Sequence, residues 1–411
     1  MKKFLIGLFA VVLVFAFTMP AGAFDSEFGG YWRTRAYTDK NFTGDNSGAK
    51  DVQRVDTRAR LYYTAVFSDD FKFVNKFEYN VGWGDTVGGD IGADGMGIFR
   101  IKNSYANFTL GSFNFLVGIQ PRTIQRGFIF SDDFSGAVIT YKGEGVSVPF
   151  IWIKAYEGGV GDDANDFDVD YYAIKPSFTV GDGMTLTPNL VYIYSKNASR
   201  WGSTTANEEV RVYFLGVDAD MSLDMGSLWF TGIYEGGDVD MITGNSMDVK
   251  AWLCALGATI DAGAAEIHGQ AFYATGDDPD TVDEIEAFYV PRGRSYYWSE
   301  IMGMGTFDNQ TSANSPGDQI MNIMAANIGV GFKASDDVKI TVDLWHAKLV
   351  EQDVNDNDSL GTEIDLKITY NLLENLNLDI VGAYLFAGKA TYDGNDDENP
   401  YEIGTRLSFS F

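Results

Sequence analysis

Period-two alternation along residues 24 to 411 predicts an all-β fold. The expected form is a single transmembrane antiparallel β-barrel of about 18 strands (16 to 18), with short periplasmic turns and long extracellular loops. Three observations carry this. Apolar and polar residues alternate over stretches of about ten residues almost throughout. The joints between those stretches are short and long by turns. The chain ends with Ile403, Thr405, Leu407, Phe409 and Phe411 alternating against Gly404, Arg406, Ser408 and Ser410, a strand closed by a terminal phenylalanine.

Taken in order, the strands are expected near 27–38, 52–67, 70–83, 98–110, 113–120, 134–142, 145–156, 168–180, 184–195, 208–221, 226–236, 248–261, 264–275, 320–335, 337–349, 361–372, 376–388 and 401–411. Residues 52 to 67 show the pattern well. Arg54, Asp56, Arg58, Arg60, Tyr62 and Thr64 occupy one face, against Val55, Thr57, Ala59, Leu61, Tyr63, Ala65 and Phe67 on the other. Tight joints fall at Asp69, Gly111, Gly143, Asp182, Asp224, Gly263, Asp336 and Glu374. Long polar ones fall at 39–51, 84–97, 121–133, 157–167, 196–207, 237–247, 276–319, 350–360 and 389–400. Eight short joints and nine long ones suit an even-stranded barrel with both termini on the short-turn side.

Lys2 and Lys3 precede an apolar run from Phe4 to Phe17, and Ala21-Gly22-Ala23 has the small residues of a cleavage site. Residues 1–23 therefore read as a secretory signal peptide and 24–411 as the barrel. The 58 acidic and 30 basic residues give a formal charge of -28, opposite to the basic footprint that a nucleic-acid partner requires. One cysteine excludes a disulfide framework and two histidines leave little for a metal centre, so neither a metal nor a cofactor is expected. The 30 Phe, 22 Tyr and 8 Trp exclude a disordered acidic chain.

The stretch Ile101-Lys102-Asn103-Ser104-Tyr105-Ala106-Asn107-Phe108, followed after a Gly-Ser turn by Phe115-Leu116-Val117-Gly118-Ile119-Gln120, resembles a hairpin of Gram-negative porins. In that family the second strand usually ends Val-Gly-Arg-Gln. Ile119 stands where the arginine would be, so that arginine's role does not transfer. Topology, size and terminal strand resemble the eighteen-stranded porins, including the alginate-export and carboxylate-channel types. The resemblance implies the outer membrane of a Gram-negative bacterium as location. It also implies contact with outer-membrane lipid and lipopolysaccharide, and recognition of Phe411 by the barrel-assembly machinery. Monomer and trimer both stay open.

If apolar positions face lipid, charged positions line a lumen. Residues 27 to 102 hold 11 of the 28 Lys and Arg that remain after Lys2 and Lys3 are set aside from 30. By parity Arg33, Arg35, Arg54, Arg58, Arg60, Lys72, Lys76, Arg100 and Lys102 face inward, a wall suited to anionic groups. Closure places strands carrying Asp343, Glu363, Asp365 and Asp379 beside it. Pore lining and salt-bridge ladders along the wall are the two readings of these charges.

The joint 276–319 is far longer than a connection needs. Its Tyr296, Tyr297 and Trp298 beside Arg292 and Arg294 suit an inward constriction that stacks on solutes. A packed extracellular cap fits the same composition. Aspartates crowd other loops at Asp162, Asp163, Asp166 and Asp168, at Asp277, Asp278, Asp280 and Asp283, at Asp353, Asp356 and Asp358, and at Asp393, Asp396 and Asp397. They read as solvated faces. His268 shares a face with Glu266 and Gln270 but lacks a nucleophile motif, so no catalytic residue and no enzymatic activity are expected.

The expected function is passive diffusion of small hydrophilic solutes through a water-filled barrel, leaning towards anions. The alternative is a barrel that sheathes a periplasmic partner such as a multihaem cytochrome. A third class, a soluble exported β-protein that binds polysaccharide, leaves the terminal phenylalanine and the apolar strand face without a reason.

Overall fold

The computed structural model describes residues 24–49, 51–92, 97–157, 168–181, 183–196, 207–241, 243–309, 314–392 and 397–411. The expected signal peptide at 1–23 and Asp162, Asp163, Asp166, Asp182, Asp393 and Asp396 lie outside these residues.

Twenty strand segments form one continuous sheet. They are β1 (Asp25–Lys40), β2 (Val52–Ser68), β3 (Phe71–Gly82), β4 (Ile98–Leu110), β5 (Phe113–Ile124), β6 (Phe130–Gly143), β7 (Val146–Tyr156), β8 (Val169–Ile174), β9 (Ser177–Val180) and β10 (Met184–Ser195). They continue with β11 (Asn207–Leu223), β12 (Gly226–Met241), β13 (Ser246–Ala262), β14 (Ala265–Ala274), β15 (Glu284–Ile285), β16 (Ile323–Lys333), β17 (Val338–Leu349), β18 (Ser359–Leu373), β19 (Leu376–Ala387) and β20 (Tyr401–Ser410). Segments β8 and β9 are two pieces of one stave, broken at Pro176, which has no N–H for the ladder. Both pair with β7 and with β10. Segment β15 is a two-residue parallel bridge from the long loop to β13. The wall thus has eighteen antiparallel staves, and β1 closes it by pairing with β2 on one side and β20 on the other.

All eighteen expected strands are present. Two of the long joints are not. Residues 121–133 hold a tight turn, because β5 continues to Ile124 and β6 begins at Phe130. Residues 237–247 likewise hold the end of β12, a short turn and the start of β13.

The outer surface carries the apolar belt that a bilayer-spanning barrel needs. Leu61, Phe73, Ile101, Val117, Leu190, Leu215, Leu256, Ile328, Val342, Ile364 and Ile380 are all exposed on the outward face. Aromatic groups cluster near both ends of the staves. Phe67 stacks on Phe71 at 4.9 Å, and Phe108 on Phe115 at 5.0 Å, beside the short turns. Trp252 stacks on Tyr273 at 4.6 Å towards the long-loop end.

The simple rule of apolar outside and charged inside fails in the long-loop half of β7 to β13. Here Ile151, Ile153, Tyr171, Val191, Ile193, Val212 and Phe214 point inward and are buried. The outward positions above the aromatic band carry ion-pair clusters instead. Lys154 pairs with Asp168 and Asp170, and Arg211 with Glu209, Asp238 and Asp240. The wall rises past the apolar belt, so its outer face meets polar surroundings while its inner face meets packed protein.

Candidate functional site

The stretches 275–309 and 314–322 fold back into the barrel and fill its inside. Their Phe288, Val290, Trp298, Ile301 and Met302 are buried among the inward apolar side chains. Phe288 meets Phe214 edge-on at 6.0 Å, and Trp298 packs on Trp345 at 5.1 Å. Each fully buried large apolar side chain contributes about 1.5–3 kcal/mol, so the loop is a fixed part of the interior.

Polar contacts fix its path across the lumen. The Glu363 carboxylate on β18 accepts from the Ile301 amide at 2.6 Å, the Met302 amide at 2.9 Å and the Ser299 hydroxyl at 3.1 Å. The Tyr289 amide donates to Glu235 on β12 at 2.8 Å, and the Tyr171 hydroxyl donates to the Arg292 carbonyl at 3.2 Å. At the far end Asp308 reaches β1, where Arg33 and Arg35 donate to it at 3.1 and 2.8 Å. Phe307 stacks on Tyr37 at 4.7 Å.

A second element joins it. The β5–β6 hairpin tip also bends inward, and Arg126 crosses to β11 and β12. It bonds Thr231 at 3.0 Å and Asp220 at 2.6 Å, and lies 4.7 Å over the Trp229 ring. The Ser295 amide donates to the Gly127 carbonyl at 3.0 Å, the Ser131 amide donates to the Gly293 carbonyl at 2.6 Å, and Phe128 stacks on Tyr296 at 4.0 Å. Hairpin and loop thus make one septum.

The septum sorts the residues expected from sequence. Arg33 and Arg35 face inward but are only 6% exposed, covered by the loop. Arg35 also forks onto both Asp56 oxygens, at 3.2 and 2.9 Å. Glu363 and Asp365 are buried beneath the same loop, and Asp379 is held by Arg406 at 2.6 Å. Those five therefore support the septum or the wall rather than facing open lumen. Of the loop candidates, Arg294 is buried with its guanidinium 4.6 Å over the Tyr289 ring, and Trp298 is buried as well. Tyr296 donates to Gln270 at 2.5 Å. Arg292 and Tyr297 remain exposed. Partial burial, with the nearby Asp308 and Asp318 carboxylates, pushes the Tyr297 hydroxyl up to about 12, so the ring is neutral at physiological pH.

Arg54, Arg58, Arg60, Lys76, Arg100 and Lys102 stay on open cavities along β2 to β4. A cavity of about 460 Å³ is lined by Arg35, Arg54, Arg58, Arg100, Phe307 and Asp308, among others. A larger one, about 620 Å³, is lined by Arg60, Lys76, Lys102, Arg122, Lys175 and Asp133, among others. Lys72 follows on the same face of β3, near the short-turn end. Asp343 lies on a separate cavity of about 360 Å³ under the loop, with His268, Asn327 and Lys367. Arg122, Arg126 and Lys175 were missed from sequence. The first two fall in what read as a loop, but Lys175 continues the inward parity of Tyr171 and Ala173 and was legible.

Expected loop aspartates hold local turns. Asp353 accepts from the amides of Asn355 and Asn357 at 2.8 and 2.9 Å, and Asp277 from that of Glu286 at 2.9 Å. Among the described residues no group of three or more His, Cys, Asp or Glu is placed to hold a metal.

An eighteen-stave barrel with an apolar outer belt and an inward-folded loop septum defines the class of the transmembrane β-barrels. The chain is similar in structure to OpdL of Pseudomonas aeruginosa, with a TM-score of 0.61 and 12% identity, over 94% of this chain and 99% of that one. It is also similar to the outer membrane protein OprD of the same organism, at 0.59 and 13% over 94% of each chain. OccAB4 of Acinetobacter baumannii matches at 0.60 and 11%, over 95% of this chain and all of that one. At these identities the likeness is one of fold. No protein-family model matches the chain, and no curated protein matches it in sequence.

Proposed function

We propose that this protein is a diffusion channel in the outer membrane of a Gram-negative bacterium, passing small hydrophilic solutes and favouring anions. One observation carries the reading. The septum fills the side of the lumen against β6 to β18, whereas the cations of β2 to β4 remain on open cavities. Arg54 to Lys72 descend that side from the long-loop end to the short-turn end. Arg54, Arg58, Arg60 and Lys102 also pair with carboxylates of the wall, whereas Lys72, Lys76 and Arg100 enter no ion pair among the described residues. In a narrow passage with low-dielectric walls such a row raises the local anion concentration.

The similarity in fold to the outer membrane protein OprD supports the location, and the exposed apolar belt supports contact with lipid and lipopolysaccharide. The fixed apolar filling also disfavours the sheath, because the loop occupies volume a partner domain would need.

Single-channel conductance in a planar bilayer, with the reversal potential under a salt gradient, tests the proposal. Steady currents selective for anions are expected. A folded barrel that stays silent would sink it and move the reading to a partner-filled sheath.

A further inference from the structure

The 620 Å³ cavity does more than attract anions in general, given how its charges are paired. Five cations line it: Arg60 from β2, Lys76 from β3, Lys102 from β4, Arg122 from β5 and Lys175 from the break between β8 and β9. Two of the five are neutralised. Arg60 pairs with Glu78 at 2.6 Å, and Lys102 is bonded to Asp133. Among the described residues, Lys76, Arg122 and Lys175 enter no ion pair. Lys76 instead lies 4.7 Å over the Tyr62 ring. Against these three cations the lining offers one further carboxylate, Asp132, which accepts from the Asp133 amide at 2.7 Å. Arg122 and Asp132 face each other in the β5–β6 ladder without joining as an ion pair.

Counted over the lining and the carboxylates bonded to it, the surplus is therefore two positive charges, from three cations outside any ion pair and one such carboxylate. Asp218, which also acts on Lys175, lies outside the lining and bonds Thr231, and Asp220 pairs with Arg126. A monoanion leaves half of that surplus unmet, whereas a dianion balances it. Arg122 offers a planar fork that suits carboxylate or phosphate oxygens, and Lys76 and Lys175 act as separate point charges for a second group. The cavity lies within the range of roughly 300–1,000 Å³ that suits small-molecule sites, with room for a short carbon chain and water.

We infer that this cavity is a binding site for small dianions, a dicarboxylate or a phosphate monoester, held jointly by Lys76, Arg122 and Lys175. The inference rests on the channel reading and adds a stopping point to it. Arg122 is carried there by the hairpin that bends inward, and Lys175 by the stave break at Pro176, so the site draws on staves from β2 to β9. A solute coming down the cations of β2 to β4 pauses where the surplus is greatest.

The test compares succinate with butyrate, which share a four-carbon chain but differ by one carboxylate, and adds glycerol phosphate as the phosphate arm. Each is titrated onto the reconstituted channel at about pH 7.5, where both dianions are fully charged. Both dianions are expected to half-block the chloride current at about tenfold or more lower concentration than butyrate, the ratio corresponding to about 1.4 kcal/mol. The tighter of the two names the source of the second charge. Arg122→Gln with Lys175→Gln is expected to bring succinate to the butyrate level while the chloride current persists. Arg122→Lys with Lys175→Arg should restore the difference. Equal block by succinate and butyrate through a conducting channel overturns the site but leaves the channel standing, and so does tight succinate block that survives the double variant. No current from the folded wild-type barrel would instead overturn the channel reading itself. Heat-modifiable gel mobility confirms that each variant has folded.

Discussion

Arg35 of the first stave donates to Asp308 of the long loop at 2.8 Å, across 273 residues of chain, while its other nitrogens hold Asp56 of the neighbouring stave. The guanidinium is the hinge pin between wall and septum. Arg33 adds a second bond to the same carboxylate, at 3.1 Å.

That latch sets a pH dependence. Burial pushes the Asp308 carboxyl up, but Arg35 and Arg33 together outweigh it and hold it below the ordinary range. A depressed folded value means the stabilisation is complete above the unfolded value of about 3.9 and is lost as pH falls through the lower folded one. Conductance should therefore be steady between about pH 5 and 7 and rise or become noisy below about pH 4. Asp308→Asn should show the released behaviour already at neutral pH, with no further acid step. An acid step of unchanged size in the variant would remove Asp308 from the latch. Burial shifts Asp318 the opposite way, above the ordinary range, so a step at higher pH that survives Asp308→Asn lies outside the latch.

Glu363 holds the other end of the loop. Replacing it by Ala leaves the Ile301 and Met302 amides and the Ser299 hydroxyl without their acceptor in a buried place, at about 1–3 kcal/mol for each unmet group. Loop release should expose the backbone after Arg292 and Arg294, and trypsin cleavage there should accelerate at least several-fold. Glu363→Gln keeps an acceptor oxygen and should lie between. Identical digestion of all three proteins would show that the apolar packing alone holds the loop.

Selectivity should follow the uncovered cations and not the covered ones. Arg58→Gln with Arg100→Gln removes two charges from the upper cavity, and the reversal potential should move towards zero selectivity. Arg33→Gln should change loop stability more than ion preference, because Arg33 is buried against Asp308. The reverse ranking, read from the same salt gradient, would place the permeation path under the loop.

Within the wall, His268 of β14 bonds Asp343 of β17 at 2.8 Å over the intervening β16, where Gly329 sits between them. A Cβ at Gly329 would come within 2.2 Å of the Asp343 carboxylate and 2.3 Å of the His268 ring. Gly329→Val should cost about 1–3 kcal/mol by overpacking and by parting the pair. The temperature at which the heat-modifiable band converts should fall, and an unchanged temperature would mean the two side chains swing aside freely.

Phe411 completes the seam. It exchanges backbone bonds with Gly30, at 2.9 and 3.2 Å, and its ring lies where a Gly30 side chain would be. Deleting Phe411 removes this closure as well as the proposed signal to the assembly machinery, so the yield of folded barrel in cells should drop several-fold. Refolding of the purified variant in detergent separates the two effects. Full refolding in vitro with poor assembly in cells points to recognition, and poor refolding points to the seam.

The eighteen staves were legible because each strand separates two environments, and period two records that separation directly. Legibility failed where the environments change along a stave. Gly237, Asp238 and Asp240 read as a loop, yet they lie on β12, with Val239 and Met241 buried inward and Asp238 outward beside Arg211. The same holds for Arg122 on β5, which lies in the joint expected at 121–133. The cations of β1 to β4 were found by parity, but parity states which face a side chain is on and not what covers that face.

Strand number, order, the paired faces and the basic bias of the first four staves follow from the sequence by itself, since local alternation and turn residues fix them without any distant contact. Only the tertiary structure decided which of those charges meet open lumen. The long loop returns across the barrel to bond β1, β12 and β18, and the hairpin tip crosses to β11. Those contacts join residues 54 to 275 positions apart through shape and burial, for which a single sequence carries no periodic signal. Arg33 and Arg60 are alike in the sequence, each an inward arginine on an early strand. In the folded chain the first is latched to Asp308 and the second faces a cavity.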